Sequence, residues 1–242
     1  RARRRRAISS SMPQTVEAEA KDAERRLPQR PVGRDTVQER VYRQIRDMIL
    51  NGEIEPGQTI TLQNLSDAFQ VSAMPVREAL RRLMAEQALT VVFGRSVGVP
   101  VLTRGRLADL CRVRCEVEPL AAAWAASRIT PAGLGRLAEL VDRMQDAVAQ
   151  MDGRLFVPAN YEFHFLIYRM AASPTLLSII ESLWLQIGPY FHALRASDNW
   201  REANVAHRAV LSALRRQDAE EAASALRRDI TDAATTLADL LR

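Results

Sequence analysis

The segment Thr61–Met84, TLQNLSDAFQVSAMPVREALRRLM, constrains the fold more than any other part of the chain. It predicts two short helices joined by a tight turn, the second beginning after Ser72, a residue type favoured at helix N-caps. The apolar residues at helical spacing, expected to face inward, are Leu62, Leu65, Phe69, Val76, Ala79, Leu80 and Leu83. Ala73, Arg77 and Arg81 recur every four residues on the opposite side. This layout predicts a helix-turn-helix.

The arginines of the second helix indicate what such a unit would bind. The second helix of a helix-turn-helix enters the major groove and presents its N-terminal half to base edges. Arg77 lies in that half, and a guanidinium can bind guanine bidentately. Arg81 or Arg82, further along, is expected to contact a phosphate. Periodicity alone is equally compatible with a surface helix that carries a solvated arginine stripe.

Residue identities in three stretches favour the DNA-binding interpretation. The string PVREALRRLMAEQAL, preceded by VSAM, resembles the recognition-helix signature of the GntR family of bacterial transcription regulators. Upstream, Ile45–Leu62 resembles the first helix and proline-glycine turn of that family, and downstream Leu89–Val101 resembles its two-stranded wing. The resemblance implies a winged helix whose DNA-binding residues are Ser72, Arg77, Arg81, Arg82, Gly94 and Arg95.

Two positions depart from the family pattern. Related members usually carry an arginine where this chain has Ala73, and often another near Gln63. Of the usual base-contacting set, Arg77 alone is matched. The resemblance therefore implies DNA binding but leaves the operator sequence open.

Composition indicates a globular protein with local rather than general DNA affinity. The 242 residues are 47% hydrophobic, enough for one large domain or two small ones. The net charge of +5 comes from residues 1–34, which carry ten basic and four acidic side chains, whereas residues 35–102 carry seven and eight. No apolar run approaches the roughly 20 residues needed to cross a membrane, and no secretory signal is visible, so we expect a cytoplasmic protein.

The predicted architecture is mainly α and has three parts. Residues 1–34 lack periodicity and predict a disordered basic arm, either a solvated tail or a contact to DNA phosphates. Residues 35–102 form the winged helix-turn-helix, three helices with a small β-hairpin wing. Residues 103–242 predict an all-α bundle of six or seven helices. The predicted helices of this bundle are Arg104–Ser127, Pro131–Met151, Leu155–Ala172, Pro174–Ala196, Asn199–Arg216 and Asp218–Leu241.

Two cysteines, Cys111 and Cys115, lie four residues apart on one predicted helix. Two thiols on one helical face could chelate a soft metal or respond to oxidation. Buried and unreactive thiols are far commoner, and we favour that interpretation.

The bundle contains a set of polar residues that resembles a known sensor site. Asn160 and His164 share a helix face, while His207 and Asp229 lie on the last two helices. The strings NYEFHFLIYRMAASPTL and VAHRAVLSALRRQDAEEAASALRRDI resemble segments of the FCD ligand-binding domain of the FadR branch of GntR regulators. In metal-binding members of that branch an aspartate and three histidines hold a divalent metal.

Carried over by position, that resemblance implies a metal site made by Asn160, His164, His207 and Asp229. Asparagine replaces the family's aspartate and offers a neutral oxygen, whereas Asp229 replaces a histidine and supplies an anion. Two imidazoles, a carboxylate and an amide oxygen suit zinc, nickel or manganese. The alternative is a metal-free polar pocket.

Arg114 matches an arginine of the first helix of the FCD domain. The resemblance implies that it binds the carboxylate of a small organic-acid effector. Glu118 follows four residues later, so an internal helix ion pair is equally compatible with the spacing.

Together these features predict a ligand-responsive transcription regulator, a repressor by resemblance to most relatives. One winged helix is too small for selective binding, so we expect a homodimer on an inverted repeat with half-sites about one helical turn apart. Two other classes remain open: a metal-dependent enzyme with an appended DNA-binding domain, and an effector-independent DNA-binding dimer. No nucleophile and base pattern or phosphate-binding glycine loop supports the enzyme.

Overall fold

The computed structural model describes residues 36–94, 96–191 and 200–241. The arm predicted at residues 1–34 lies outside the described residues, as does Arg95. Val37–Arg242 forms one compact unit, so the N-terminal and C-terminal elements described below pack directly on each other.

The N-terminal elements are three helices and a two-stranded hairpin. Their bounds are α1 (Val37–Leu50), α2 (Leu62–Phe69), α3 (Ala73–Ala85), β1 (Thr90–Phe93) and β2 (Ser96–Gly98). In α1, Val41, Ile45 and Ile49 are buried, as their helical spacing predicts. Tyr42 is buried as well, because its ring packs beside them while its hydroxyl reaches Glu86 of the α3 C-cap.

The turn between α2 and α3 has the local chemistry predicted from the sequence. Thr61 caps α2 by accepting a bond from the backbone N–H of Asn64 at 3.1 Å. Gln70 ends α2 in the left-handed region, with a φ of 53°. Ser72 is the N-cap residue of α3, but its side chain makes no capping bond. The residues Val76, Ala79, Leu80 and Leu83 of α3 are buried, as predicted.

The hairpin after α3 is the predicted wing. Val91 of β1 lies opposite Val97 of β2 in an antiparallel pair. Gly94 turns the chain with a φ of +57°, a conformation that favours glycine. All four residues of β1 are exposed, and Phe93 retains 84% of its accessible surface. The β1 strand therefore faces solvent, whereas β2 packs on the N-terminal core through the buried Val97.

The C-terminal part is an all-α bundle. Its described helices are α4 (Arg104–Ala126), α5 (Pro131–Ala149), α6 (Gly153–Met170), α7 (Pro174–Phe191), α8 (Trp200–Arg215) and α9 (Ala219–Leu240). Helices α4, α5 and α7 begin at the predicted residues, and α9 begins one residue after its predicted start. The caps Thr103, Thr130 and Asp218 each accept a bond from a backbone N–H in the first turn. The predicted fold, mainly α with a winged helix before a helical bundle, is confirmed.

Helix α7 belongs to both halves of the molecule. Its Trp184 lies in the core of the bundle, whereas the next residue, Leu185, lies in the core of the winged helix. Gly188 allows the close approach of α1, since a Cβ atom there would lie 2.9 Å from Cδ2 of Leu50. Within the described residues, the helices are too short or too polar to span a bilayer.

Candidate metal centre and nucleic-acid interface

Three ionisable side chains meet inside the bundle. Nε2 of His164 lies 3.4 Å from one carboxyl oxygen of Asp229, and Nε2 of His207 lies 3.5 Å from the other. Each of the three offers a ligand atom within 4.8 Å of the other two. All three residues are buried. These are three of the four residues that the sequence assigned to a metal.

Each residue of this cluster comes from a different helix. His164 is on α6, His207 on α8 and Asp229 on α9. The His207 ring packs beside Phe163, with their centroids 5.0 Å apart, and this apolar wall holds it in place. The fourth predicted residue, Asn160, is half-buried on α6 one turn before His164 and stays a predicted ligand.

A second group of side chains contacts His164 at Nδ1, the ring nitrogen that does not face Asp229. The Tyr168 hydroxyl donates to Oε2 of Glu118 at 2.5 Å and lies 3.2 Å from Nδ1 of His164. Because that hydroxyl proton is used by Glu118, its oxygen is left to accept the Nδ1 proton of His164. The Nε2 lone pair of His164 then faces Asp229. This is the tautomer that a histidine needs to bind a cation through Nε2.

Burial changes the charges that these groups carry. Desolvation lowers the pKa of His164 well below its usual value, and lowers that of His207 to about 3. Desolvation raises the pKa of Asp229 to about 7, against the lowering effect of the Arg114 charge. Both imidazoles are therefore neutral at pH 7, and their contacts with Asp229 are not ion pairs although the distances would allow it.

Unpaired nitrogen atoms in the cluster indicate that it could hold a cation. Among the described residues, neither ring nitrogen of the buried His207 has a hydrogen-bond partner. Leaving a buried polar group unpaired costs about 1–3 kcal/mol, so such atoms are rare in native proteins. Two neutral imidazoles and a carboxylate are a donor set that divalent transition metals prefer.

Arg114 lies beside this cluster and is fully engaged. It is buried and donates to both carboxylate oxygens of Glu118, at 2.5 Å and 3.2 Å. Its guanidinium also lies 5.3 Å from the ring centroid of Trp184. The helix ion pair considered from the sequence is therefore formed, and an incoming carboxylate would have to share Arg114 with Glu118.

The cysteines lie apart from the cluster formed by His164, His207 and Asp229. Cys111 is buried and Cys115 half-buried, and both are free thiols. Burial raises the pKa of the Cys111 thiol, which keeps it protonated and poorly nucleophilic. The structure supports the interpretation of Cys111 as unreactive.

The predicted DNA-contacting residues differ in how free they are. Arg77 is exposed on α3 and has no hydrogen-bond or ion-pair partner among the described residues. Arg81 keeps 69% of its side-chain surface and approaches Glu78 at 3.5 Å. The hydroxyl of Ser72, free of a capping bond, lies at the start of the same helix. Gly94 is at the wing tip, and Arg95 lies outside the described residues.

Arg82 is held inside the winged helix. Its guanidinium bonds to Glu39 and Glu86, each at 3.1 Å, and lies 3.6 Å from the ring centroid of Tyr42. These contacts join α1 to α3. Of the two arginines expected to contact phosphate, Arg81 is thus the more available.

Tyr168 and Glu118 were not predicted as site residues. The available signal was spacing, since Tyr168 follows His164 by four residues and Glu118 follows Arg114 by four. Their link to each other joins positions 50 residues apart, which no local pattern reveals.

Comparison with known proteins agrees with this geometry. Residues 37–99 match the family model described as bacterial regulatory proteins, gntR family, and residues 109–232 match the FCD domain. The chain is 34% identical over 172 residues to the HTH-type transcriptional regulator McbR of Escherichia coli K12, covering 70% of this chain and 78% of that protein. It is 25% identical over 152 residues to the transcriptional repressor GlaR of the same organism, covering 59% of this chain and 67% of that protein.

Solved structures show the same fold. The structure of E. coli McbR/YncC superposes with a TM-score of 0.79 at 29% identity, covering 86% of this chain and all of that one. A GntR regulator from Rhodococcus sp. RHA1 superposes with a TM-score of 0.70 at 24% identity, covering 85% of this chain and 99% of that one, which bears on the fold alone.

A winged helix with an exposed arginine on its recognition helix, followed by a helical domain with a buried polar site, matches the two family models of a DNA-binding transcription regulator. The chain belongs to the gntR family of bacterial regulatory proteins, and carries the FCD domain at its C-terminal end.

Proposed function

We propose that this regulator is a ligand-responsive repressor of the FadR subfamily. Its FCD domain binds a divalent metal and a small carboxylate effector, and this binding changes its affinity for an operator. The observation that carries the proposal is the buried cluster of His164, His207 and Asp229, in which His207 has no hydrogen-bond partner for either nitrogen.

The proposed metal ligands are His164, His207 and Asp229, with Asn160 as the fourth. The donor set suits zinc, nickel or manganese, and a bound ion would supply positive charge and open positions for a carboxylate. Tyr168 keeps Nε2 of His164 available, and Arg114 adds a second positive group within the buried site. These features favour an anionic effector over a neutral or cationic one.

On the DNA side, we propose that Arg77 contacts a base edge, because it is exposed and unpaired in the N-terminal half of α3. Arg81, Ser72 and the wing tip at Gly94 and Arg95 are proposed to contact phosphates. Arg82 is assigned mainly to holding α3 on α1, since three groups of the protein already engage it.

We further propose that the regulator is a homodimer on an inverted repeat. An exposed apolar stripe on α4 supports this: Val113, Leu120 and Trp124 keep 40%, 42% and 39% of their surface, with the half-buried Val117 between them. Their spacing of four, three and four residues places them on one helix face. Such a contiguous apolar stripe favours a partner helix over water.

The response is proposed to be a population shift. The effector binds better to one arrangement of the two winged helices, and the operator binds better to another. The effector therefore releases the operator only to the extent of its differential affinity for the two arrangements.

The test uses the purified full chain. A pool of random duplexes is selected for binding, and fluorescence anisotropy then measures the affinity for the enriched sequence with and without zinc, nickel or manganese, each with a panel of small carboxylates. We expect an enriched inverted repeat whose binding weakens with one metal and carboxylate together. An enriched repeat whose affinity ignores every metal and carboxylate would instead identify an effector-independent DNA-binding dimer.

A further inference from the structure

One charged side chain of the winged helix reaches into the bundle beside the sensor cluster. Nη2 of Arg46, on α1, donates to the hydroxyl of Tyr161 on α6 at 3.3 Å and to Oε1 of Glu181 on α7 at 3.2 Å. The Arg46 side chain keeps 19% of its surface and that of Glu181 keeps 35%, so these bonds are partly shielded from water. We call Arg46, Tyr161 and Glu181 the interdomain latch.

Both bundle residues of the latch are next to the sensor cluster. Tyr161 precedes His164 by three residues on α6, and its ring packs edge-on against Trp184 with centroids 5.6 Å apart. The Trp184 ring lies 5.3 Å from that of His164. Glu181 is on α7, three residues before Trp184. Trp184 therefore connects His164 to both acceptors of Arg46, by ring packing to Tyr161 and along α7 to Glu181.

On the other side, the latch connects to the recognition helix. Tyr42, one turn before Arg46 on α1, donates to Glu86 at the C-cap of α3 at 2.7 Å. Arg82 of α3 stacks on the same tyrosine ring, 3.6 Å from its centroid. The position of α1 thus sets the position of α3.

The latch is also incompletely satisfied. Among the described residues, Nε of Arg46 is buried without a hydrogen-bond partner. A guanidinium has five N–H donors, and the bonds of Arg46 to Tyr161 and Glu181 both use Nη2. A small shift of α6 or α7 can therefore exchange the hydrogen-bond partners of Arg46 without breaking a fully satisfied hydrogen-bond network.

We propose that Arg46 and Tyr161 are positioning residues that transmit the state of the His164, His207 and Asp229 cluster to the recognition helix. This rests on the proposed sensor function of the bundle. If the latch only stabilised the contact between the two domains, its loss would change the DNA affinity by the same factor for protein with an occupied cluster and for protein with an empty one. If the latch transmits the state of the cluster, its loss changes the ratio of the DNA affinities of those two forms of the protein.

The experiment compares three variants of the full chain with the wild type. Tyr161→Phe removes only the hydroxyl acceptor, and Arg46→Gln removes the guanidinium with its charge and leaves a shorter side chain. Arg40→Gln is the matched control, because Arg40 is exposed on the same helix and its loss removes the same charge from the DNA-binding region. Operator affinity is measured on a duplex selected by the wild type, for protein loaded with zinc alone and for protein stripped with EDTA.

The readout is the ratio of the two affinities. Coupling between sites is typically about 5- to 150-fold, and we expect a wild-type ratio in that range. Tyr161→Phe and Arg46→Gln should bring the ratio close to one while zinc affinity stays unchanged, and Arg40→Gln should keep the wild-type ratio. The proposal would be overturned if the wild type binds zinc but its two operator affinities are equal. It would also be overturned if both latch variants keep the wild-type ratio.

A second experiment uses metal-free protein, so that it tests the latch even if the cluster binds no metal. His164→Asn perturbs the cluster in the stripped protein, with thermal unfolding as the check that the variant folds. Its effect on operator affinity is measured in the wild-type, Arg46→Gln and Arg40→Gln backgrounds. We expect an effect that disappears in Arg46→Gln alone. An equal effect in all three backgrounds, or none in the wild type, would contradict transmission through the latch.

Discussion

The hydroxyl oxygen of Tyr168 lies 3.2 Å from Nδ1 of His164, on the side of the ring away from Asp229. It accepts the Nδ1 proton because its own proton is donated to Glu118. The tyrosine therefore determines which nitrogen of His164 faces the cluster, and does so from outside the proposed ligand set.

Tyr168→Phe is expected to lower metal affinity by about 10- to 100-fold, the usual cost of losing a partner that orients a ligand. The ring and its packing against Phe165 are retained, so the helical content should not change. Chelator competition with zinc measures the affinity, and circular dichroism serves as the folding control. An unchanged affinity would mean that Tyr168 does not orient His164.

The pH dependence of metal binding should follow Asp229. Burial lowers the pKa of both imidazoles, and raises that of Asp229 to about 7. The proton that competes with the metal is thus on the carboxyl group. Affinity should rise with pH and level off above about pH 7, and Asp229→Asn should remove this dependence. Chelator competition across pH 5.5–8.5 is the measurement.

The raised pKa of Asp229 also predicts how the stability of the metal-free protein changes with pH. Because the folded pKa of Asp229, about 7, exceeds its usual 3.8, its stabilising contribution is complete below 3.8 and is lost as pH rises through 7. Asp229→Asn removes the titrating group. The variant should therefore gain about 2–3 kcal/mol on the wild type between pH 5 and pH 8, measured by urea unfolding in EDTA. A difference that shrinks with rising pH would contradict the raised pKa.

The recognition helix yields a prediction that separates its arginines. Arg77→Ala should cost about 1–3 kcal/mol on the selected operator and leave binding to random DNA nearly unchanged. Arg81→Ala should weaken both by a similar factor and reduce the salt dependence. Arg82→Ala should lower the thermal stability, because it removes the contacts to Glu39, Glu86 and Tyr42. Equal losses on both DNAs for Arg77→Ala would exclude it from base contact.

The exposed stripe of α4 predicts the oligomeric state. Leu120→Asp places a charge in the middle of the stripe, and should turn the proposed dimer into a monomer at micromolar concentration. Arg112→Asp, at an exposed position on the same helix, is the control for charge. Sedimentation velocity distinguishes the two states. A dimer that survives Leu120→Asp would place the dimer interface elsewhere.

Helix boundaries were predictable wherever the determinant was local. The starts of α4 and α5 were predicted correctly, because the caps Thr103 and Thr130 need only a side chain and an N–H three residues on. The start of α9 was predicted one residue early, at Asp218, which is its N-cap. The inward face of α3 followed from spacing alone. All four proposed metal ligands followed from resemblance to the FCD domain, and the structure brings three of them, His164, His207 and Asp229, together.

The rest depended on contacts between distant segments. The link from Arg114 through Glu118 to Tyr168 spans α4 and α6, and that of Arg46 to Glu181 joins positions 135 residues apart. The close packing of Gly188 on Leu50 likewise joins α7 to α1. No periodicity within one helix indicates which other helix will lie against it.

Leu185 has a consequence for how such regulators can be recombined. This residue belongs by sequence to the effector half, yet it is 1% exposed within the apolar core of the DNA-binding half. A chimera that transplants residues 37–99 onto a foreign effector domain would leave a vacancy the size of a leucine side chain unless the new host supplies one. The part that can be exchanged as an intact module is therefore the winged helix together with the face of α7 that completes its core.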